Sequence, residues 1–148
     1  MPTGACDKHL HVFPSGHEHR CVPDRSFTPL PLEITDYDGV AAALNLDRGV
    51  VIKPIVHAED NTALLRVSRK YPERLRAVIS VTKDVTDAEL EDYLGARGIR
   101  VIVVESSGMT FPSVDDALAF TARIADLGWH IEFLAHVETF EDISAVLA

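Results

Sequence analysis

Two histidines near the amino terminus have a spacing that suits metal binding. His9 and His11 occur in the segment CDKHLHVF, separated by a single apolar residue. Residues i and i+2 of a β-strand point to the same face, so the two imidazoles would project together. Neutral imidazoles placed in this way can bind one divalent ion such as zinc. The alternative interpretation is that both are ordinary polar residues at the end of a strand.

Three further titratable residues stand where predicted strands end. His57 follows the second apolar run, Glu105 ends the fourth, and His136 follows the fifth. Active sites of parallel α/β barrels lie at the carboxyl ends of the strands. A barrel would therefore bring these three side chains to the same mouth as the histidine pair.

One lysine interrupts an otherwise apolar strand-like segment. Lys53 lies within RGVVIKPIV, and a buried ammonium group is costly unless it is paired. We expect Lys53 to point inward and to bind a substrate carboxylate. The alternative is that its chain extends between helices to bring the ammonium group to solvent.

Apolar runs of strand length alternate with amphipathic segments along the chain. This alternation is typical of βα units that form a parallel sheet covered by helices. It predicts an α/β fold that is either the N-terminal five βα units of a (β/α)8 TIM-like barrel or an open parallel α/β sheet. We expect continuous helices over 113–128 and 138–148. The expected helix starts are polar capping residues, namely Thr35 or Asp36, Asp60 or Asn61, and Ser113.

The composition is that of an acidic globular chain. Its 148 residues are 47% hydrophobic, and 14 Lys and Arg against 23 Asp and Glu give a net charge of -9. Nucleic acid and anionic membrane both require a basic surface, so we expect neither as a partner. No apolar run reaches the roughly 18 residues of a spanning helix, and the first residues lack a secretory signal. Cys6 and Cys21 are too few for a disulfide framework, which predicts reduced thiols and a cytoplasmic protein.

Four segments, taken in order, carry a resemblance to a known family. They are CDKHLHVF, PDRSFTP, DRGVVIKPIVHAEDN and DLGWHIEFL. With them the chain resembles the amidohydrolase-related (amidohydrolase family 2) TIM-barrel hydrolases, in particular the 2-pyrone-4,6-dicarboxylate lactonase-like branch. The resemblance implies that His9 and His11 bind metal or substrate at the barrel mouth, with Asp7 as the leading acid of the motif. It also implies that Arg25 lines the mouth of the active site.

The resemblance further implies a hydrolase that cleaves a lactone, or a related cyclic ester or amide, of a small carboxylate-bearing substrate. A divalent metal, zinc or manganese, would be held by His9 and His11, and no organic cofactor is expected. In members without metal, the two histidines would orient or polarise the carbonyl directly. The family's fourth strand carries a second arginine and an asparagine where this chain has Val103 and Glu105. We expect Glu105 to act as a metal ligand or as a base.

Two other functions remain open at this point. One is a decarboxylase of the same superfamily, because the histidine motif does not distinguish C–C from C–O cleavage. The other is a truncated, non-catalytic domain that binds a ligand or a partner chain. We interpret residues 1–148 as a single partial barrel domain that stops before the last strands of the family's barrel. Its exposed sheet edges would favour a homo-oligomer.

Overall fold

The computed structural model describes residues 1–15, 21–57, 59–102, 110–136 and 138. Five parallel strands form one sheet in which each strand pairs with the next along the chain. The strands are β1 (Cys6–Leu10), β2 (Arg48–Ile52), β3 (Leu75–Ile79), β4 (Ala96–Ile102) and β5 (His130–Leu134). A doubly wound sheet reverses its strand order at a switch point, and this sheet does not. The prediction of five βα units of a TIM-like barrel is confirmed as a half-barrel, and the strand order excludes the doubly wound form of the open-sheet alternative.

The helices cover one side of this sheet. They are α1 (Ile34–Leu44), α2 (Thr62–Lys70), α3 (Asp87–Asp92), α4 (Val114–Ala119) and α5 (Thr121–Ala125). Right-handed crossovers between neighbouring parallel strands place every connecting helix on the same face. Between that face and the helices lies the apolar core, where Val51, Ala77 and Ile99 are fully buried against side chains such as Leu64 and Ile124. The opposite, inner face of the sheet carries apolar side chains such as Ile52 and Val78 together with charged ones.

The inner face can be identified from the strand register. Ile52 pairs with Val78, and Arg100 of β4 pairs with Glu132 of β5. Residues paired across parallel strands share a face, and their neighbours in sequence point to the helices. Arg100 and Glu132 therefore bring two charged side chains to the side of the sheet that faces away from the helical layer.

Two predicted helix starts differ in outcome. The first helix begins at Ile34, and the Asp36 carboxylate accepts the Glu33 N–H at 2.8 Å. Glu33 is therefore the capping residue, and the prediction that Thr35 or Asp36 occupies this position is wrong. Ser113 does cap its helix, because its hydroxyl accepts the N–H of the residue three positions later at 3.1 Å.

The predicted helix over 113–128 is divided into α4 and α5. Phe120 is the boundary between the two helices, and its ring lies 5.2 Å from that of Phe111 in an edge-to-face contact. The predicted helix over 138–148 falls almost wholly outside the described residues. None of the helices in the described ranges has both the length and the apolar character needed to cross a membrane.

Candidate active site

His9 near the end of β1 and His11 just after it lie side by side on the inner face. The ring centroids of His9 and His11 are 4.9 Å apart and nearly perpendicular. The Nδ1 atom of His11 lies 2.8 Å from the Ile52 carbonyl oxygen of β2. A carbonyl oxygen only accepts, so Nδ1 carries the proton and Nε2 has the lone pair. The predicted projection of both imidazoles to one side is what the geometry shows.

Burial keeps His11 neutral. Desolvation lowers the pKa of His11, the positive charge of Arg100 lowers it further, and the hydrogen bond to Ile52 opposes both effects. A neutral imidazole with an unprotonated Nε2 can accept a proton or bind a metal ion. His11 therefore has the protonation state that either of its predicted roles requires.

A bulge in β1 follows the leading acid and includes His9. Asp7 pairs with Gly49 and Leu10 with Val51, so three steps along β1 match two along β2. The Asp7 carboxylate accepts the N–H of His9 at 2.9 Å. Its charge also contributes, after burial, to raising the pKa of Tyr37 on α1 to about 12. Asp7 thus supports the histidine segment from the helical side of the sheet.

A carboxylate on β5 approaches the pair across the inner face. Glu132 Oε1 lies 3.5 Å from His9 Nδ1 and 3.8 Å from Arg100 Nε. Arg100 is only 6% exposed, and its burial lowers the pKa of the guanidinium while Glu132 raises it. Sequence reasoning did not select Glu132 as a site residue. The available signal was an acid in the middle of an apolar strand, where a charge needs a partner.

Lys53 directly follows β2 and has no solvent-exposed surface. Its backbone N–H donates to Val78 O at 2.9 Å, and its carbonyl oxygen accepts from Arg100 Nη1 at 3.1 Å. Burial lowers the pKa of the ammonium group to about 7, and the nearby charges of Asp60 and Glu59 oppose this. The Arg100 guanidinium therefore packs against the Lys53 backbone, and its charge acts on both His11 and Lys53. Substrate binding by Lys53 stays a prediction.

An aromatic group lies next to the histidine pair. The Phe13 ring is 5.9 Å from the ring of His11 and 5.9 Å from that of His57, which is buried in the 3-10 turn Ile55–His57. Phe27 packs on Phe13 at 6.2 Å in an edge-to-face contact. This contact joins the loop that carries Phe27 to the end of β1. Phe13 thus links His57 to the histidine pair, and His57 lies just after the second strand, as predicted.

The remaining predicted site residues are spread more widely. Arg25 stays within its own loop, where it donates to Thr28 Oγ1 at 3.1 Å and to Val22 O at 3.2 Å. His136 lies beyond β5 with a largely exposed side chain, and its Nδ1 is 3.6 Å from Glu138 Oε1. Glu105 and Val103 lie outside the described residues.

The fit of a divalent metal depends on the donors near the pair. A catalytic zinc ion usually has three protein ligands, and His9 and His11 supply two. Within the described ranges, no group of three or more His, Cys, Asp or Glu side chains could hold a metal ion. Arg100 also adds positive charge near His11. The described residues alone therefore do not complete a divalent metal site.

Two curated proteins that this chain resembles in sequence are both hydrolases. A 2-pyrone-4,6-dicarboxylate hydrolase of Comamonas testosteroni is 32% identical over 133 residues, which are 88% of this chain and 43% of that protein. A 4-sulfomuconolactone hydrolase of Hydrogenophaga intermedia is 31% identical over 102 residues, 68% of this chain and 34% of that protein. The chain therefore spans less than half the length of these curated relatives.

Solved structures show the same fold. A probable 2-pyrone-4,6-dicarboxylic acid hydrolase of Acinetobacter baumannii matches 90% of this chain and 50% of its own, with a TM-score of 0.77 and 23% identity. A putative 2-pyrone-4,6-dicarboxylic acid hydrolase of Pseudomonas putida matches 90% of this chain and 49% of its own, with a TM-score of 0.69 and 30% identity. The family model described as amidohydrolase (Amidohydro_2) matches residues 6–148. This match covers nearly the whole chain, and the chain belongs to the amidohydrolase family.

Proposed function

We propose that this chain forms the catalytic half-barrel of a hydrolase that opens a lactone of a small carboxylate. The observation that carries the proposal is the histidine pair beside the buried guanidinium group of Arg100. His11 is held neutral with Nε2 unprotonated, and the positive charge of Arg100 lies close enough to act on it. Such a site combines a proton acceptor with positive charge for an anionic substrate.

The proposed reaction is addition of water to the lactone carbonyl carbon. His11 Nε2 accepts a proton from the attacking water, because its other nitrogen is committed to Ile52 O. The ring C–O bond then breaks, and the proton passes to the leaving oxygen. The positive charge of Arg100 and Lys53 stabilises the developing oxyanion and attracts the substrate carboxylate. His57, Arg25 and His136 remain proposed substrate-binding residues, and Glu105 remains a proposed base or ligand.

The names of the relatives support this substrate class. They are hydrolases of a pyrone dicarboxylate and of a sulfomuconolactone, both anionic cyclic compounds. A zinc or manganese ion on His9 and His11 stays a prediction, and elemental analysis of the purified protein tests it. Cys6 and Cys21 are free thiols, which agrees with the proposed cytoplasmic location.

The test is ring opening of 2-pyrone-4,6-dicarboxylate and of muconolactone by the full-length protein that carries this chain. Replacing both His9 and His11 with alanine should lower kcat/KM by about 100-fold or more. His130→Ala is the matched control, since this exposed histidine begins β5 at the opposite end of the sheet. Unchanged turnover in the double variant would refute the assignment. Release of carbon dioxide in place of the ring-opened acid would establish the decarboxylase alternative.

A further inference from the structure

A cavity of about 330 Å³ opens at the amino ends of β3 and β4. This is the opposite end of the strands from the proposed active site. Its polar lining is dominated by three arginines, Arg69, Arg76 and Arg97, with Ser68 beside them. Of the described residues that line it, none is an aspartate or a glutamate. This concentration of cations is unexpected in a chain whose net charge is -9.

Backbone carbonyls hold the three guanidinium groups in place. Arg76 and Arg97 each donate from Nη1 to the carbonyl oxygen of the preceding residue, at 2.8 and 2.6 Å. Arg69 donates from Nη2 to Asp92 O at 3.1 Å. Within the described part of the chain, none of the three forms an ion pair with a carboxylate. A guanidinium has five N–H donors, so most donors and the full charge of each remain for a ligand.

The turn after α3 forms one wall of the cavity. Gly95 has a φ of +92°, a conformation that favours glycine, and a Cβ there would lie 3.4 Å from Ser68 Oγ. The turn therefore lies close to α2. Arg69 of α2 donates a hydrogen bond to the carbonyl oxygen of Asp92, just before the turn. Leu94, at the rim, is 69% exposed. The wall and the fixed guanidinium groups make this a shaped cavity rather than scattered surface charges.

We propose that this cavity binds a small multivalent oxyanion, which adds a second binding site to the proposed hydrolase. Planar guanidinium forks match the paired oxygens of phosphate and carboxylate groups, and a fork fixed by a backbone bond loses little freedom on binding. A volume of about 330 Å³ accommodates an anion of the size of diphosphate or citrate. The site is independent of the histidine pair and of lactone hydrolysis.

Isothermal titration calorimetry of the purified protein with inorganic diphosphate and, separately, with citrate at low ionic strength tests the site. Saturable binding is expected, and Arg76→Ala or Arg97→Ala should weaken it at least about tenfold. Arg48→Ala is the matched control, because Arg48 also begins a strand at this end and donates to a backbone carbonyl, Gly4 O. Binding of diphosphate alone identifies a phosphate site, and binding of citrate alone identifies a carboxylate site.

A rim substitution keeps the test valid if an arginine variant fails to fold. Leu94→Glu places a negative charge at the opening without disturbing the core, and it should weaken binding to a similar extent. Leu30→Glu, at a leucine that is 80% exposed and lines no part of this cavity, should leave binding unchanged. The proposal is overturned if the unaltered protein shows no saturable binding of either anion. It is also overturned if Arg48→Ala or Leu30→Glu weakens binding as much as the cavity variants do.

Discussion

The buried ammonium group of Lys53 should make the stability of the protein depend on pH. Its pKa falls from the usual 10.5 to about 7, chiefly because the side chain is removed from water. Between these two values the unfolded chain binds a proton that the folded chain does not. Stability therefore rises with pH across that interval and reaches its full value only above pH 10.5. Below pH 7 the folded protein carries the whole cost of a charged, buried lysine.

The size of the effect follows from the two pKa values. The difference between 10.5 and about 7 corresponds to about 5 kcal/mol. About 2 kcal/mol of this should be recovered between pH 7 and pH 9. Lys53→Met removes the ionisable group and keeps a similar apolar volume, so the variant should lack this rise. It should also be more stable than the unaltered protein at pH 7.

Urea unfolding of both proteins at half-unit intervals from pH 6.5 to 9 measures the difference. Other groups titrate in this range, but they are common to both proteins and cancel when the two free energies of unfolding are subtracted. Lys83→Met, at an exposed lysine, is the control and should keep the slope of the unaltered protein. Parallel profiles for the unaltered protein and Lys53→Met would refute the reasoning, since they would mean that Lys53 titrates alike in both states.

Two further pairs of substitutions test tertiary contacts of the sheet. Gly98→Ala should destabilise the protein by about 1–3 kcal/mol, because the added Cβ would lie 2.6 Å from the His130 carbonyl oxygen of β5. Gly39→Ala in α1, where a Cβ meets nothing within 4 Å, should be neutral or stabilising, and equal losses at both glycines would contradict the argument. Asn61→Ala should cost about 2–4 kcal/mol, because Asn61 donates to Ser80 O at 2.7 Å and accepts from Ser80 N at 2.9 Å. Ser80→Ala keeps both of those backbone bonds and should cost clearly less in urea unfolding.

Local patterns in the sequence predicted the elements that depend on local physics. The alternation of apolar runs and amphipathic segments predicted the βα order, and the i, i+2 spacing predicted that His9 and His11 share a face. Ser113 was predicted as a cap because its hydroxyl needs only the N–H three residues later. Each of these features depends on neighbours within one turn or one strand.

Features that depend on distant neighbours could not be predicted. Asn61 lies at the start of α2, but its side chain bonds the backbone of Ser80, just after β3, because buried backbone groups need partners. The approach of Glu132 to His9 joins two strands more than a hundred residues apart, and it follows only from the curvature of the sheet. The bulge in β1 depends on pairing with β2. In each case a tertiary contact, rather than the local sequence, sets the geometry.

The positive charge on the inner face can serve two purposes at once. A site for an anionic substrate needs positive charge, and Arg100 supplies it close to His11. A general base must be unprotonated at neutral pH, and a neighbouring cation favours that state by lowering the pKa of His11. Glu132 lies near His9 and Arg100 and does not contribute to the lowered pKa of His11. The same positive charge can therefore attract a carboxylate and keep the proton acceptor free to work.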